Sequence, residues 1–580
     1  MIKFYTVLSR YLQNTDVNVF NVKKMAKNQL SPWQRFVGLL QLEKKDILQI
    51  LYYAIFAGIV ALSLPLGIQS IINLIQGAQM STSWVVLVVL VTLGVVFSGA
   101  LQLMQLRIIE TIQQRIFTRA SFELSYRFPK IRMDELRNYY PPELANRFFD
   151  TLTIQKGLSK ILIDVPSALL QILFALILLS FYHPFFIIFG ILLLALIYIV
   201  FKFTAQKGLQ TSLDESKNKY KVAHWIQEVA RTMVSFKLSG NTSLAIKKND
   251  TLVAEYLKAR ESHFRVLVLQ FIQMISFKVL VTASLLLIGG ALVLNQEMNI
   301  GQFVAAEIII LLVIGSVEKL IVGLESFYDV LTSIEKLGQV VDKGLEAQEG
   351  ETPDFTDEMM IQLDNISYKV KNREKPILKN ISLAIAPKSR ILVQGESGSG
   401  KSSLLRLIAA VVAPTSGNIY VNKYSIESLH LNHYRSHLGL SLSEETPFEG
   451  TLRENLTFGN EAISDDTIFW ALEKVGLTQF IKEQPKGLKT ILHPEGKQIS
   501  YNISKKIVLA RAIIKKPQVL ILEDPLDQFN QDESNAIIEF LTDASNPWAL
   551  IVVSSNERWK TGCGALITLE NGEIKSRKSC

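Results

Sequence analysis

Charge disappears from the chain for long intervals, and those intervals set its organisation. Residues 47–106 contain no Asp, Glu, Lys or Arg, far beyond the roughly 20 residues that one membrane helix needs. The polar turn GAQMSTS interrupts them, so the pattern predicts two spans joined by a short turn. Residues 165–201 are again uncharged and break at His183 and Pro184, where a proline suits a tight turn between two more spans. A third pair is predicted over residues 266–294 and 300–328, separated by NQEMN. The pattern therefore predicts six transmembrane helices.

Positive charge orients them. Lys44 and Lys45 precede the first span, Arg107 and Arg115 follow the second and Lys202 follows the fourth, while the three short turns have no Lys or Arg. Lys and Arg favour the cytoplasmic side, so both termini are expected there. The two inner connections, residues 107–164 and 202–265, show amphipathic helical patterning, as in FTRASFELSYRF and YKVAHWIQEVARTMVSFKL. They have few strand or glycine-rich signals, which favours long helices extending from the membrane over independent cytosolic domains.

Composition shifts at the acidic, turn-rich GLEAQEGETPDFTDE. The expected division is an N-terminal extension over residues 1–33, a membrane domain over 34–343, a linker over 344–358 and a soluble domain over 359–580. In the last, β-branched runs (RILVQ, VLILED, ALIVVSS) alternate with helical patterns such as SSLLRLIAAVV. This predicts an α/β domain with a mainly parallel core and antiparallel strands at its start.

Composition narrows the function. Hydrophobic residues make up 49% of the 580 and charged residues 20%, which argues against a purely soluble enzyme. The formal net charge of +8 is accounted for by membrane-flanking segments, and nucleic-acid binding is not required. Two cysteines, Cys563 and Cys580, cannot build a disulfide framework and lack metal-ligand company. The first residues lack an apolar core followed by a small-residue cleavage site, so no signal peptide is expected.

The strongest chemical signal is Gly395, Glu396, Ser397, Gly398, Ser399, Gly400, Lys401 and Ser402. They match GxxxxGK[ST] between a strand pattern and a helix pattern, the context that motif requires. Small residues let backbone N–H groups face phosphates, and the helix N-terminus adds positive potential. Lys401 is expected on the β and γ phosphates of ATP, Ser402 on Mg²⁺, and Ser403 beside them. Glu523 and Asp524 end the later strand VLILED.

With these motifs the chain resembles an ABC exporter half-transporter, six membrane helices fused to one ATP-binding domain, from about Pro32 onward. PPELANRFFDTLTIQKGL and WIQEVARTMVSFKLSG resemble the family segments that hold the coupling helices, placed at residues 142–148 and 223–229. The overall look is that of bacterial secretion-type exporters in an inner membrane, without the N-terminal peptidase-like domain some of them have. The resemblance implies a second half-transporter, identical or different. It also makes a periplasmic adaptor and an outer-membrane channel plausible partners.

The site departs from the family pattern. The resemblance implies Glu523 for magnesium binding and Asp524 for water activation, but the two stand in exchanged order, leaving the candidate base one methylene short, and a displacement near 1 Å at a reacting centre costs about a hundredfold. The signature LSGGQ is replaced by Ile499, Ser500, Tyr501, Asn502 and Ile503; Ser443 stands for the Q-loop glutamine, Ser555 for the switch histidine and Asn530 for the D-loop aspartate. Val370 falls at the adenine-stacking aromatic, with Tyr368 two residues earlier as a substitute. The expectation is a subunit that binds ATP and couples it to outward transport with impaired hydrolysis of its own. The alternative is a non-hydrolysing ATP-binding membrane scaffold or gated channel. Because such a site is composite across two subunits, a partner's residues would leave neither site complete.

Within the last two spans, Lys278 lies 19 residues from Glu297 in the outer turn, Glu318 lies 21 and Glu307 only 10. At about 1.5 Å per residue the first two are level within roughly 3 Å, which predicts an ion pair. Glu307 is left as a cavity-facing group. Trp225, on a coupling segment, is expected to pack internally or to dock into the ATP-binding domain. The spans suit a hydrophobic or amphipathic cargo, and a threaded peptide equally.

Overall fold

The computed structural model describes residues 30–76, 82–137, 139–355, 358–370 and 373–579. Most of the expected N-terminal extension, most of the first outer turn and Cys580 lie outside them. The chain forms two units: Met1–Pro129 with Asn138–Lys343, and Lys130–Arg137 with Gly344–Cys580.

In the first unit, five described helical segments are long and apolar enough to cross a membrane: Lys44–Gln76, Thr82–Lys130, Pro141–Ser180, Leu244–Leu294 and Ile300–Val341. The remaining expected pair member begins with the apolar Phe185–Ala195 and continues as one helix to Arg231. Turns fall where polar residues interrupt the pattern, and His183 Nε2 lies 3.2 Å from Glu297 Oε2, joining two of them.

Ile300–Val341 is the central helix of this unit. Ala305, Ala306 and Ile309 on it, and Ala168 and Ala175 on Asp150–Ser180, are wholly buried. Small residues let such helices approach closely; a Cβ added at Gly157 would lie 2.3 Å from Val330 Cγ2. The Pro32–Leu42 helix starts with a capping box between Ser31 and Gln34. Its buried Arg35 donates to Asp342 Oδ1 at 2.9 Å and pairs with Glu335 at 3.4 Å, fixing this helix to the end of Ile300–Val341.

The inner connections are long helices. The first short helix, expected at residues 142–148, is Pro141–Ala145 followed by a 3-10 turn at Asn146–Phe149. The second is displaced: residues 223–229 are the last turns of Phe185–Arg231, and the separate short helix is Met233–Leu238, all of it outside the core. The chain bends at Thr232, which leaves helical geometry at ψ 25°. Trp225 is buried, donates to the Ala245 carbonyl at 3.0 Å and lies under Lys248 at 4.1 Å, so its role is internal packing. Lys278 Nζ lies 3.8 Å from Glu318 Oε2, as their levels predicted, and Glu307 is half-buried.

The second unit contains a six-stranded sheet in the order β12-β11-β3-β10-β9-β6. Its strands are β3 (Arg390–Gln394), β6 (Leu438–Ser441), β9 (Val519–Glu523), β10 (Ala549–Val553), β11 (Ala565–Glu570) and β12 (Glu573–Ser579). All pairs are parallel except β11 with β12. Every residue of β9 and β10 is buried, which explains their continuous apolar runs. An antiparallel sheet, β2-β1-β4-β5, comprises β1 (Ile361–Tyr368), β2 (Leu378–Ile385), β4 (Ser416–Val421) and β5 (Tyr424–Ser425).

Residues 344–355 are not a free connector. Arg435 grips Glu346 with two hydrogen bonds of 2.6 and 2.9 Å. The Glu351 amide donates to Ser428 at 2.8 Å and its carbonyl accepts from His430 at 2.9 Å. His433 donates to the Pro353 carbonyl at 2.7 Å, and Phe355 is 1% exposed. Lys130–Arg137 joins the same strap: Ile131 bridges to Leu345 and the Arg132 amide donates to Gly344 at 3.0 Å.

Candidate nucleotide-binding site

Register brings the phosphate loop and the acids together. Val553 of β10 faces Val393 of β3 on one side and Glu523 of β9 on the other. The Gly395 loop and the Glu523–Asp524 pair therefore leave the same carboxyl edge of the sheet with one strand between them, the place where such sheets bind ligands.

The loop has the geometry a phosphate needs. Gly400 caps the Lys401–Ile408 helix at φ +104°, and a Cβ there would lie 2.7 Å from Leu378 Cδ2. A Cβ at Gly395 would lie 2.2 Å from the Leu569 carbonyl oxygen. Lys401 Nζ donates to the Gly395 and Glu396 carbonyls at 2.7 and 2.8 Å, curled over its own loop. Ser399 is 5% exposed and its hydroxyl has no hydrogen-bond partner among the described residues. A buried, unsatisfied hydroxyl is costly, and a phosphate oxygen would satisfy it. Ser402 and Ser403 are half-buried in the first turn of the helix, and Glu396, Ser397 and Gly398 are exposed at the tip of the loop. These residues fit a nucleoside triphosphate.

The acid side is built differently. Glu523 is 6% exposed, and its Oε2 accepts both the amide (3.2 Å) and the hydroxyl (3.0 Å) of Ser443, the residue at the Q-loop position. The Ser443 carbonyl in turn accepts from Lys505 Nζ at 2.7 Å, and Lys505 is 5% exposed. Burial pulls the Lys505 ammonium below the ordinary lysine range, against the opposing pull of Glu445 and Glu523. Asp524 stands in left-handed geometry at φ +41°, with its amide donating to the Val553 carbonyl at 2.9 Å. Burial, with Glu523 and Asp527 beside it, raises its carboxyl above the ordinary range, while Lys401 and Lys505 counter the rise.

A magnesium ion prefers six oxygens, commonly one or two carboxylates, the nucleotide phosphates and several waters. Here the Q-loop amide is gone, one oxygen of Glu523 already accepts two donors, and a buried ammonium shares the acidic pocket. The donor set expected from Ser402 and Glu523 does not fit Mg²⁺ as the loop fits phosphates.

The other expected positions have structural duties. Tyr368 does not offer a free stacking face: it is 9% exposed, packs in the core between the sheets, and its hydroxyl accepts from Arg137 at 2.9 Å. Val370 packs against the same core. Ser500 caps the Tyr501–Ile513 helix by accepting from the Ile503 amide, and Asn502 donates to the Gln528 carbonyl at 3.2 Å. Tyr501 is 45% exposed, side-chain bulk where the family has glycine. Asn530 caps Gln531–Thr542 through the Glu533 amide at 2.8 Å, and Ser555 is exposed. Sequence reasoning missed Lys505; the available signal was the pair Lys505–Lys506 at the head of the apolar run IVLA, in a helix buried from Ser504 to Ile513 except at Arg511.

Residues 47–317 match the ABC transporter transmembrane region and residues 378–527 match the ABC transporter family. The leukotoxin translocation ATP-binding protein LktB of Mannheimia glucosida is 26% identical over 339 residues, 57% of this chain and 47% of that protein. The alpha-hemolysin translocation ATP-binding protein HlyB of Escherichia coli O157:H7 is 27% identical over 307 residues, 53% of this chain and 43% of that protein. Each match thus spans about half the relative's length. A bacterial Atm1-family ABC exporter solved with ATP bound superposes with a TM-score of 0.80 at 16% identity, covering 93% of this chain and 96% of that one, a likeness of fold.

Proposed function

The chain belongs to the ABC transporters, an integral membrane protein with its transmembrane region fused ahead of its ATP-binding region, and from that premise we propose that it is an exporter subunit that binds ATP and hydrolyses it poorly. One observation carries this reading: a phosphate loop with an unsatisfied buried hydroxyl stands beside an acid, Glu523, whose oxygen is occupied by Ser443. ATP binding would still act as the closing signal, because closure depends on phosphate contacts and not on bond cleavage.

The subunit works as half of a dimer in a bacterial inner membrane, both termini cytoplasmic, as the distribution of Lys and Arg supports. Translocation proteins among its relatives support a periplasmic adaptor and an outer-membrane channel as partners. The closed Glu523–Ser443–Lys505 chain also favours a second reading, an ATP-gated scaffold or channel that never cycles.

Photolabelling of the membrane-reconstituted protein with an azido-ATP tests the binding half. Labelling that vanishes in Lys401→Ala supports it, and labelling indifferent to that change refutes it. ATP-dependent accumulation of a cargo in inverted vesicles separates exporter from scaffold.

A further inference from the structure

Lys505 is an unusual residue to bury. An ammonium has three donors, and Lys505 shows one hydrogen bond, to the Ser443 carbonyl. Among the described residues no carboxylate lies within ion-pair distance of it. A buried charge is costly without compensation, so its presence requires negative charge nearby. Glu523 is linked to it through Ser443, Asp524 follows Glu523 in the chain, and Glu445, which accepts from the Leu442 amide at 3.0 Å and pairs with Arg511 at 3.8 Å, also acts on its charge. Three elements supply the arrangement: the Tyr501–Ile513 helix gives the cation, the segment after β6 gives Ser443, and the end of β9 gives the acid.

A divalent cation has the same electrostatic task at this edge, offsetting the acids and the phosphates together. A second cation beside a fixed ammonium is repelled, and the Ser443 donors already compete for the Glu523 oxygen. Metal-free ATP, with more negative charge than its magnesium complex, suits an edge where the positive charges of Lys401 and Lys505 both act on Asp524. We propose that Lys505 is the resident counter-cation of this site, and that the chain holds ATP as well without a divalent metal as with one. This rests on the nucleotide-binding reading above.

The test is fluorescence titration of the full chain in lipid nanodiscs with a ribose-labelled ATP analogue, in EDTA and in Mg²⁺. The native affinity is expected to agree between the two conditions within about twofold. Lys505→Gln is expected to weaken binding about tenfold in EDTA, from the loss of one charge at partly buried range, with recovery when Mg²⁺ is added. Lys505→Arg retains the charge and is expected to bind in EDTA. Native binding that needs Mg²⁺ overturns the inference, as does equal weakening of Lys505→Gln in both conditions, the mark of a merely structural lysine. No native binding in either condition overturns the nucleotide reading itself. The native comparison decides the matter even if Lys505→Gln fails to fold.

Discussion

The two sides of strand β10 teach different lessons. Across β10, the phosphate loop and the acid pair emerge level with each other, yet one is open and the other is self-satisfied. At the loop, among the described residues, the Ser399 hydroxyl lacks a partner and Lys401 donates to its own loop's carbonyls. At the acids, Ser443 fills Glu523 and Lys505 fills Ser443. The substituted family positions are occupied in the same manner, Asn530 and Ser500 serving as helix caps. A site can thus retain ligand binding while its reacting groups are turned to internal use.

The largest way to break this contrast is Lys401→Ala. Removing charge-assisted hydrogen bonds to phosphate should weaken ATP binding about a hundredfold, on the order of 3 kcal/mol, read by titration. Gly400→Ala comes next, since φ +104° and the contact with Leu378 both oppose a side chain; a loss of about 1–3 kcal/mol of stability is expected, read as a lower thermal midpoint, with ATP affinity falling too. Ser443→Ala removes one donor to the buried Glu523 and should cost about 1 kcal/mol of stability while ATP binding persists, a split visible by combining denaturation with titration. The smallest effect belongs to Asp524→Asn, for which phosphate release should stay within about twofold of native. A large fall there would erase the difference between the phosphate loop and the acid pair.

Much of the architecture could be read from the chain because membrane spans are declared by missing charge and the loop by spacing. The bend at Thr232 was hidden because amphipathic patterning runs on from residue 223 through Met233–Leu238. The acidic strap resembled a solvated linker, since its partner Arg435 lies 89 residues from Glu346. The departures at Ser443 and Glu523 were visible as substitutions, but their bond joins residues 80 apart and follows only from the β6–β9 register. Lys505 was concealed in a helix whose apolar pattern dominated the eye. Tyr368 shows the reverse failure: an aromatic at a plausible position was claimed by the core and by Arg137.

The central claim is that ATP is held firmly and cleaved poorly. Single-turnover incubation of the reconstituted chain with ATP labelled at the γ-phosphate, followed by acid quench and separation of nucleotide from phosphate, tests it most directly. The account predicts that the bound label is recovered overwhelmingly as intact ATP, in the native chain and in Asp524→Asn alike. Labelled phosphate that appears from the native chain and is suppressed by Asp524→Asn would contradict it.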